Sequence, residues 1–85
     1  MARGLFQPAP EYPVLAKSAR ISGAVQLEGI IAVDGHIRAL RVVSGHPLLV
    51  KAAVDAVSRW MYEATTLNGE PVEVLAPITV TFRLN

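Results

Sequence analysis

The stretch over residues 47–62 constrains the fold most, because its apolar residues repeat with a helical period over several turns. One side of this stretch carries Leu49, Ala52, Ala53, Ala56, Val57 and Trp60, whereas Lys51, Asp55, Ser58, Arg59 and Tyr62 lie on the other. That pattern predicts an amphipathic helix with one buried stripe. Pro47 suits the first helical position, since its φ is already helical and an N–H there would have no partner. The rest of the chain is therefore expected to supply a sheet beneath this helix.

Composition limits the size and the class of the protein. Eighty-five residues, 52% hydrophobic and 18% charged, indicate one small globular domain. A net charge of +1, with the basic residues scattered along the chain, argues against nucleic acid or an anionic membrane as a partner. Without cysteine the chain has no disulfide and no thiol chemistry. Its apolar runs are far shorter than the roughly 20 residues that cross a bilayer, so we expect a soluble domain.

The N-terminal part of the chain has no hydrophobic periodicity. Residues 1–11 contain Pro8 and Pro10 and predict an extended tail, or the end of a proline-rich spacer, without a fixed fold. The folded domain is expected over residues 12–85. It begins with a short helix over residues 14–20, which needs packing to be stable because it has only about two turns.

A first strand is predicted over residues 24–33, where apolar residues occupy alternate positions. Gly29 interrupts the alternation. A glycine weakens a strand unless another group must approach closely. We therefore expect the ring of Trp60 to pack over Gly29.

A hairpin follows this strand. Asp34 and Gly35 form a dipeptide typical of a two-residue type I′ turn, in which both central residues have positive φ. The next strand, over residues 36–43, is expected to run antiparallel to the first. Its apolar residues change from odd to even positions along the strand, which predicts a bulge near Ala39.

The last part of the chain predicts a small ribbon and a long strand. Asn68-Gly69 is a second turn dipeptide, joining residues 63–67 to residues 70–74. The final run alternates most regularly, with apolar residues at Val72, Val74, Ala76, Ile78, Val80, Phe82 and Leu84. Pro77 cannot donate to a strand ladder, which places this strand at an edge. The predicted fold is α+β, a three-stranded antiparallel sheet with two helices packed on one face.

The polar side chains offer few candidates for catalysis or metal binding. His36 and His46 have no third ligand at a useful spacing, so exposed loop histidines are the simpler interpretation. Ser44 and His46, with an aspartate, are the residue types of a hydrolytic triad, yet no glycine-framed nucleophile turn is present. We predict no enzyme, no metal and no cofactor.

An ordered set of short motifs resembles the C-terminal domain of TonB energy transducers. The set consists of Tyr12-Pro13 with Ala16 and Lys17, Gly23-Ala24-Val25-Gln26-Leu27, Asp34-Gly35, Val42-Val43-Ser44-Gly45, Pro47-Leu48-Leu49, Ala52-Ala53, Ala56-Val57, Arg59-Trp60-Met61-Tyr62, Asn68-Gly69-Glu70-Pro71-Val72 and Ile78-Thr79-Val80-Thr81-Phe82. The resemblance covers essentially everything after Glu11. It departs from the family at Ala64, where proline is usual.

The resemblance implies the TonB C-terminal fold and a periplasmic domain, which in the full-length protein is anchored in the inner membrane and associated with ExbB and ExbD through an N-terminal region. It further implies that the domain grips the TonB box of an outer-membrane transporter as an added strand and transmits energy for nutrient uptake. Because the last strand is the predicted edge, we expect the partner to bind along Ile78, Thr79, Val80, Thr81, Phe82, Arg83 and Leu84. The alternative is a self-assembling structural domain, in which the same edge pairs with a second copy as a homodimer.

Overall fold

The structure, a computed structural model, describes residues 4–84 and contains two helices and seven strands within them. In chain order these are β1 (Gly4–Phe6), α1 (Val14–Ser18), β2 (Gly23–Ile31), β3 (Ile37–Ser44), α2 (Pro47–Val57), β4 (Met61–Tyr62), β5 (Thr65–Leu67), β6 (Glu70–Val72) and β7 (Val74–Phe82).

The main sheet has the strand order β3-β2-β7, with β2 in the centre and both pairings antiparallel. Helices α1 and α2 contact each other, and α2 contacts β2 and β3. The predicted α+β fold, a three-stranded antiparallel sheet with helices on one face, is confirmed. Strands β2 and β7 pair without interruption from Gly23 opposite Phe82 to Ile31 opposite Val74.

The core lies between the sheet and the helices. Strand alternation places the buried residues of β2 and β7 on one face, as predicted for a sheet covered on one side. The main buried cluster consists of Ala16, Val25, Leu27, Leu49, Ala53, Val57, Ile78, Val80 and Phe82. The ring of Tyr12 packs edge-on against Phe82, with ring centroids 5.4 Å apart.

Helix α2 begins as predicted but ends earlier. Pro47 is its first residue, and the side chain of His46 accepts a hydrogen bond from the N–H of Leu48 at 3.1 Å. The helix ends at Val57, so the predicted continuation to residue 62 is wrong. Trp60 follows the turn after the helix and is half-buried against the core, and its indole N–H donates to the carbonyl of Pro8 at 2.9 Å.

The turn between β2 and β3 differs from the predicted two-residue type. The N–H of Gly35 donates to the carbonyl of Ala32, and the N–H of Ala32 donates to the carbonyl of His36, which leaves three residues in the loop. Gly35 has a φ of 91°, whereas Asp34 is not left-handed. This is the three-residue hairpin with glycine in the left-handed position.

The predicted bulge in β3 is confirmed. Ala39 has a φ of 52°, and the register with β2 shifts between Glu28 and Ile30, so two residues of β3 oppose Gly29. We expected Trp60 to pack on Gly29, but side chains of β3 occupy this position instead. A Cβ at Gly29 would lie 2.9 Å from Cγ2 of Ile37 and 3.3 Å from Cδ1 of Leu40, because the bulge turns these β3 side chains toward it.

The N-terminal segment has more structure than predicted. Gly4–Phe6 pairs with Met61–Tyr62 as an antiparallel strand, so residues 4–6 are not a tail without a partner. Residues 1–3, which the prediction also covered, lie outside the described residues. The start of the domain at residue 12 stays a prediction. Helix α1 is also shorter than expected, ending at Ser18 before Arg20 takes a left-handed φ of 56°.

The predicted ribbon is confirmed. Strands β5 and β6 pair antiparallel across Asn68 and Gly69, whose φ values of 52° and 82° are both positive as a type I′ turn requires.

Candidate partner-binding edge

The outer side of β7 is an open edge of the main sheet. Strand β7 is the last strand in the sheet order, as Pro77 predicted, and within residues 4–84 only β2 pairs with it. Its pairing with β2 has no bulge, so the strand keeps a regular pleat along its whole length. A regular strand with one side unpaired is a template for a further strand.

Hydrogen bonding in the hairpin identifies the backbone groups of β7 that point outward. The N–H of Ala32 donates to the carbonyl of His36 on the β3 side at 2.8 Å. Backbone groups of successive residues in a strand point to alternate sides. Even-numbered residues of β2 therefore bond toward β3, and odd-numbered residues bond toward β7.

The same alternation continues into β7. Glu28 lies opposite Pro77, and Gln26 lies opposite Thr79. Because these even residues of β2 bond toward β3, their partners in β7 make no ladder bond with β2. The N–H and C=O groups of Thr79 and Thr81 thus face outward. Pro77 occupies an outward position too, where its missing N–H costs the sheet nothing.

The seven residues expected to bind a partner divide into three groups. Ile78, Val80 and Phe82 are buried in the core, and Thr79 and Thr81 are exposed on the opposite face. Arg83 and Leu84 lie beyond the end of β7. The structure therefore brings Ile78, Thr79, Val80, Thr81 and Phe82 together on one edge and leaves Arg83 and Leu84 as its extension.

Polar side chains lie on the open face beside Thr79. The hydroxyl of Thr79 donates to Oε1 of Gln26 at 2.8 Å. One strand further away, Arg41 forms an ion pair with Glu28, with an N–O distance of 2.8 Å. The hydroxyl of Thr79 is thus already bonded within the sheet. The backbone of β7 therefore offers stronger contacts to a partner than this side chain does.

The opposite edge, formed by β3, is irregular. Its register with β2 shifts at two places, and Ala39 has a positive φ. Near the hairpin, His36 pairs with Met61 of β4, and the N–H of Tyr62 donates to the carbonyl of Gly35 at 2.8 Å. Bulges and a covering segment both blunt an edge against strand addition.

Three of the residues considered for catalysis, Asp34, His36 and His46, have structural partners. Asp34 accepts a hydrogen bond from the N–H of His36 at 3.0 Å, and this bond lowers the pKa of the Asp34 carboxyl from its ordinary value. His46 caps helix α2 through its Nδ1. In the part of the chain that the structure describes, no three histidine, aspartate or glutamate residues are grouped as metal ligands.

Sequence reasoning missed a groove between α1 and α2. It has a volume of about 850 Å³ and is lined mainly by residues 11–15 and the outer side of α2. Val14 and Leu15 belong to the helix that we expected to be stabilised by packing, yet they are 77% and 70% exposed beside the groove. Only Ala16 of α1 is buried, because so short a helix presents one residue to the core.

Comparison with known proteins gives a consistent result. The model of the family "Gram-negative bacterial TonB protein C-terminal" matches residues 8–84. The chain is 31% identical over 85 residues to Protein TonB of Klebsiella pneumoniae, covering 98% of this chain and 33% of the relative. It is 32% identical over 83 residues to Protein tonB2 of Pseudomonas aeruginosa, covering 95% and 31%. The chain thus spans about a third of the length of these curated relatives.

A solved structure has the same fold. The solution NMR structure of the Pseudomonas aeruginosa TonB CTD matches with a TM-score of 0.80 and 25% identity, covering 98% of this chain and 86% of the other. As for membrane insertion, neither helix within residues 4–84 has the length and apolar character to span a bilayer.

Proposed function

Because the chain belongs to the family of the TonB C-terminal domain, we propose that it is the receptor-binding domain of a TonB-type energy transducer. It lies in the periplasm and holds the TonB box of an outer-membrane transporter as a fourth strand beside β7. The observation that carries this proposal is the regular, unpaired outer side of β7, with outward backbone groups at Thr79 and Thr81.

Strand addition suits this edge for a physical reason. Main-chain hydrogen bonds supply affinity in this mode, and side chains at alternate positions adjust selectivity. The outward backbone groups of β7 need no rearrangement, since Thr79 and Thr81 already have a strand conformation. A preformed edge lowers the ordering cost of binding, because only the incoming segment must become ordered.

The proposal includes transmission of force. A strand bonded to β7 is connected to β2 through an uninterrupted antiparallel ladder, in which Val25 faces Val80 and Leu27 faces Ile78. A pull along the strand axis is shared among all the bonds of such a ladder, instead of breaking them one at a time. This arrangement favours a non-enzymatic, mechanical role, and we assign no cofactor to it.

The remaining partners belong to the longer protein. We propose that an N-terminal region anchors it in the inner membrane and associates with ExbB and ExbD. Family membership supports this, as does the match to about a third of each curated relative. Nothing in the charge distribution favours nucleic acid, since the net charge is only +1.

A peptide titration followed by amide NMR tests the proposal. The probe is a synthetic peptide with the TonB box sequence of a transporter from the same bacterium. Amide shifts are expected to cluster on residues 78–84. If they cluster on Lys51, Asp55, Ser58 and Arg59 instead, the exposed side of α2 and the turn after it bind the peptide, and strand addition is wrong.

Two substitutions at one residue make the test sharper. Thr79→Pro removes an outward N–H and should abolish detectable binding while the far-UV spectrum stays that of the folded protein. Thr79→Ala removes the hydroxyl that bonds Gln26 but keeps the N–H, so it should weaken binding only modestly. Equal losses for both variants would point to side-chain recognition.

A second function uses the same edge. Strand β7 could pair with β7 of another copy and form a homodimer, since an unpaired edge is a template for a strand from a second chain as well as for a peptide. Sedimentation over a range of concentrations separates the two. A monomer that binds the peptide supports the receptor-binding role, whereas a stable dimer that excludes the peptide supports self-assembly.

A further inference from the structure

The outward hydrogen-bond donors of β7 are interrupted at one position. By the alternation established above, Leu75, Pro77, Thr79 and Thr81 are the residues of β7 with outward backbone groups. Each offers a carbonyl, but Pro77 has no N–H to offer. The edge therefore has a complete part after Pro77 and an isolated position, Leu75, before it.

We propose that Pro77 sets the length and the register of the strand that docks on β7, an inference that rests on the proposed function. The added strand pairs with the part of the edge that follows Pro77 and does not continue past it to Leu75. Counting residues around the outward groups of Thr79 and Thr81, the paired part of the partner is about five residues long in either orientation.

The reason is the cost of an unmade hydrogen bond. A partner strand that continued past Thr79 would place a carbonyl opposite Pro77, where no donor is available. At this exposed edge the carbonyl stays with water, so the pair at Pro77 gains one bond instead of two, while the ordering of a longer partner segment still costs conformational entropy. A strand that ends or turns away at Pro77 avoids this loss. The favoured register is therefore the one in which the partner pairs only with the residues of β7 after Pro77.

The same interruption limits pairing between copies of the chain. Without Pro77, β7 would present a regular edge from Val74 to Phe82, and Leu75 beside it is 65% exposed. Long regular edges with exposed apolar side chains are prone to self-pairing, and a proline on the edge is one way in which proteins prevent it. Pro77 thus distinguishes a short extended peptide from a second β7.

Replacing Pro77 tests this directly, because position 77 makes no ladder bond with Glu28. Pro77→Val adds an outward N–H and leaves the pairing of β2 and β7 intact. Leu75→Val is the matched control, since it changes an exposed side chain on the same edge without adding a donor. Pro77→Ala serves as a second variant with the same new donor and less apolar surface. The probes are nested peptides of about five and about nine residues, the longer one reaching past position 77.

In the unchanged protein and in Leu75→Val, the two peptides are expected to bind with the same affinity within about twofold. In Pro77→Val and Pro77→Ala, the longer peptide should bind roughly five- to tenfold more tightly than the shorter one, as expected for one or two added hydrogen bonds. The amide of Leu75 should then be protected from hydrogen exchange only in the Pro77 variants. Without peptide, Pro77→Val should sediment as a dimer at lower concentration than the unchanged protein.

Two results would overturn the inference, and they differ in what else they exclude. If the longer peptide protects the Leu75 amide in the unchanged protein, Pro77 does not stop the strand, although strand addition at β7 stands. If neither peptide shifts the amides of residues 78–82 in any variant, the proposed function fails together with the inference.

Discussion

The two edges of the main sheet differ in almost every respect that governs strand addition. Strand β7 pairs with β2 in unbroken register and leaves its outer side open, whereas β3 shifts register twice and has a residue with positive φ at Ala39. The β3 side is also covered near the hairpin by β4, which pairs in turn with β1. One edge is thus regular and accessible, and the other is bent and covered.

This difference suits the proposed function, in which a small sheet with two edges binds a partner at only one of them. A sheet of three strands must have two edges, so selectivity requires that one of them be made unsuitable. Irregular backbone and a covering segment achieve this at β3. At β7 a single proline limits an otherwise regular edge. The strand between them, β2, supplies the core residues on which both edges depend.

The largest expected effect therefore comes from β2. Leu27 is fully buried and lies opposite Ile78 of β7 and Val42 of β3. Leu27→Ala should lower the free energy of unfolding by about 2 to 5 kcal/mol, from lost burial and the cavity left behind. Chemical denaturation measures this. Peptide binding should weaken only in proportion to the unfolded fraction, and a loss of affinity in fully folded protein would mean that the two edges are not separable in function.

A smaller effect is expected where Gly29 of β2 packs against side chains of the β3 edge. Gly29 is buried, and a Cβ there would lie 2.9 Å from Ile37 and 3.3 Å from Leu40. Gly29→Val should destabilise the fold by roughly 1 to 3 kcal/mol through overpacking against the bulged part of β3. Gly29→Ala should cost less, since its Cβ meets the same neighbours without further methyl groups.

The comparison is sharpened by measuring peptide affinity in these Gly29 variants. Because the strain falls on β3, the affinity of the folded protein for a β7-binding peptide should stay unchanged within about twofold. Should Gly29→Val abolish binding while the protein remains folded, the irregular β3 edge would have to take part in recognition.

The features of the fold that the sequence predicted correctly are those set by neighbouring residues, whereas features set by contacts far away in the chain were missed. The regular alternation from Val74 to Phe82 and the proline at position 77 are local, and they predicted the edge strand and its buried face. The bulge in β3 was predicted from another local signal, the change of apolar parity within residues 36–43. The predicted end of α2 was wrong because Trp60 continues the helical period in the sequence. In the structure Trp60 lies beyond the end of the helix, and its indole N–H donates to the carbonyl of Pro8, a partner far away in the chain that the period does not indicate.

Other features depended on tertiary contacts in the same way. The groove between α1 and α2 could not be foreseen, because the periodicity of a two-turn helix does not show which apolar residues the core can accept. The predicted length of the hairpin loop was wrong by one residue, because Asp34-Gly35 is compatible with loops of two and of three residues. Pairing between Ala32 and His36 decides between these lengths.

The N-terminal segment gives a third prediction, on the covered side of the sheet. Trp60→Phe removes the indole donor to Pro8 and keeps an aromatic ring, so it should lower the free energy of unfolding by about 0.5 to 1.5 kcal/mol. Deleting residues 1–10 should cause a loss of similar size. In the deletion background, Trp60→Phe should then have less effect, and a double-mutant cycle measures that coupling.

The outcome of that cycle bears on the two edges. If the coupling is clear and peptide binding at β7 is unchanged, the N-terminal segment belongs to the covered side only. If deleting residues 1–10 alters peptide affinity in folded protein, the segment influences both sides, and the division between a covered and an open edge is too simple.

The smallest expected effect concerns the hairpin that begins β3, through the pH dependence of stability. The N–H of His36 donates to the Asp34 carboxylate and lowers its pKa, so folding favours the ionised form. A carboxyl group whose pKa is lower in the folded state contributes stability above its unfolded pKa, and this contribution is lost as the pH falls through the folded value.

The variant Asp34→Asn tests this contribution, because it keeps an oxygen that can accept from His36 but does not titrate. The difference in melting temperature between the two proteins should therefore be constant near neutral pH and should change as the pH falls below about 4. Because Asp34 is exposed, the change should be slight and confined to stability, with no pH dependence of peptide binding at β7 over that range. A parallel change in peptide affinity would show that the hairpin end of β3 communicates with the open edge across β2.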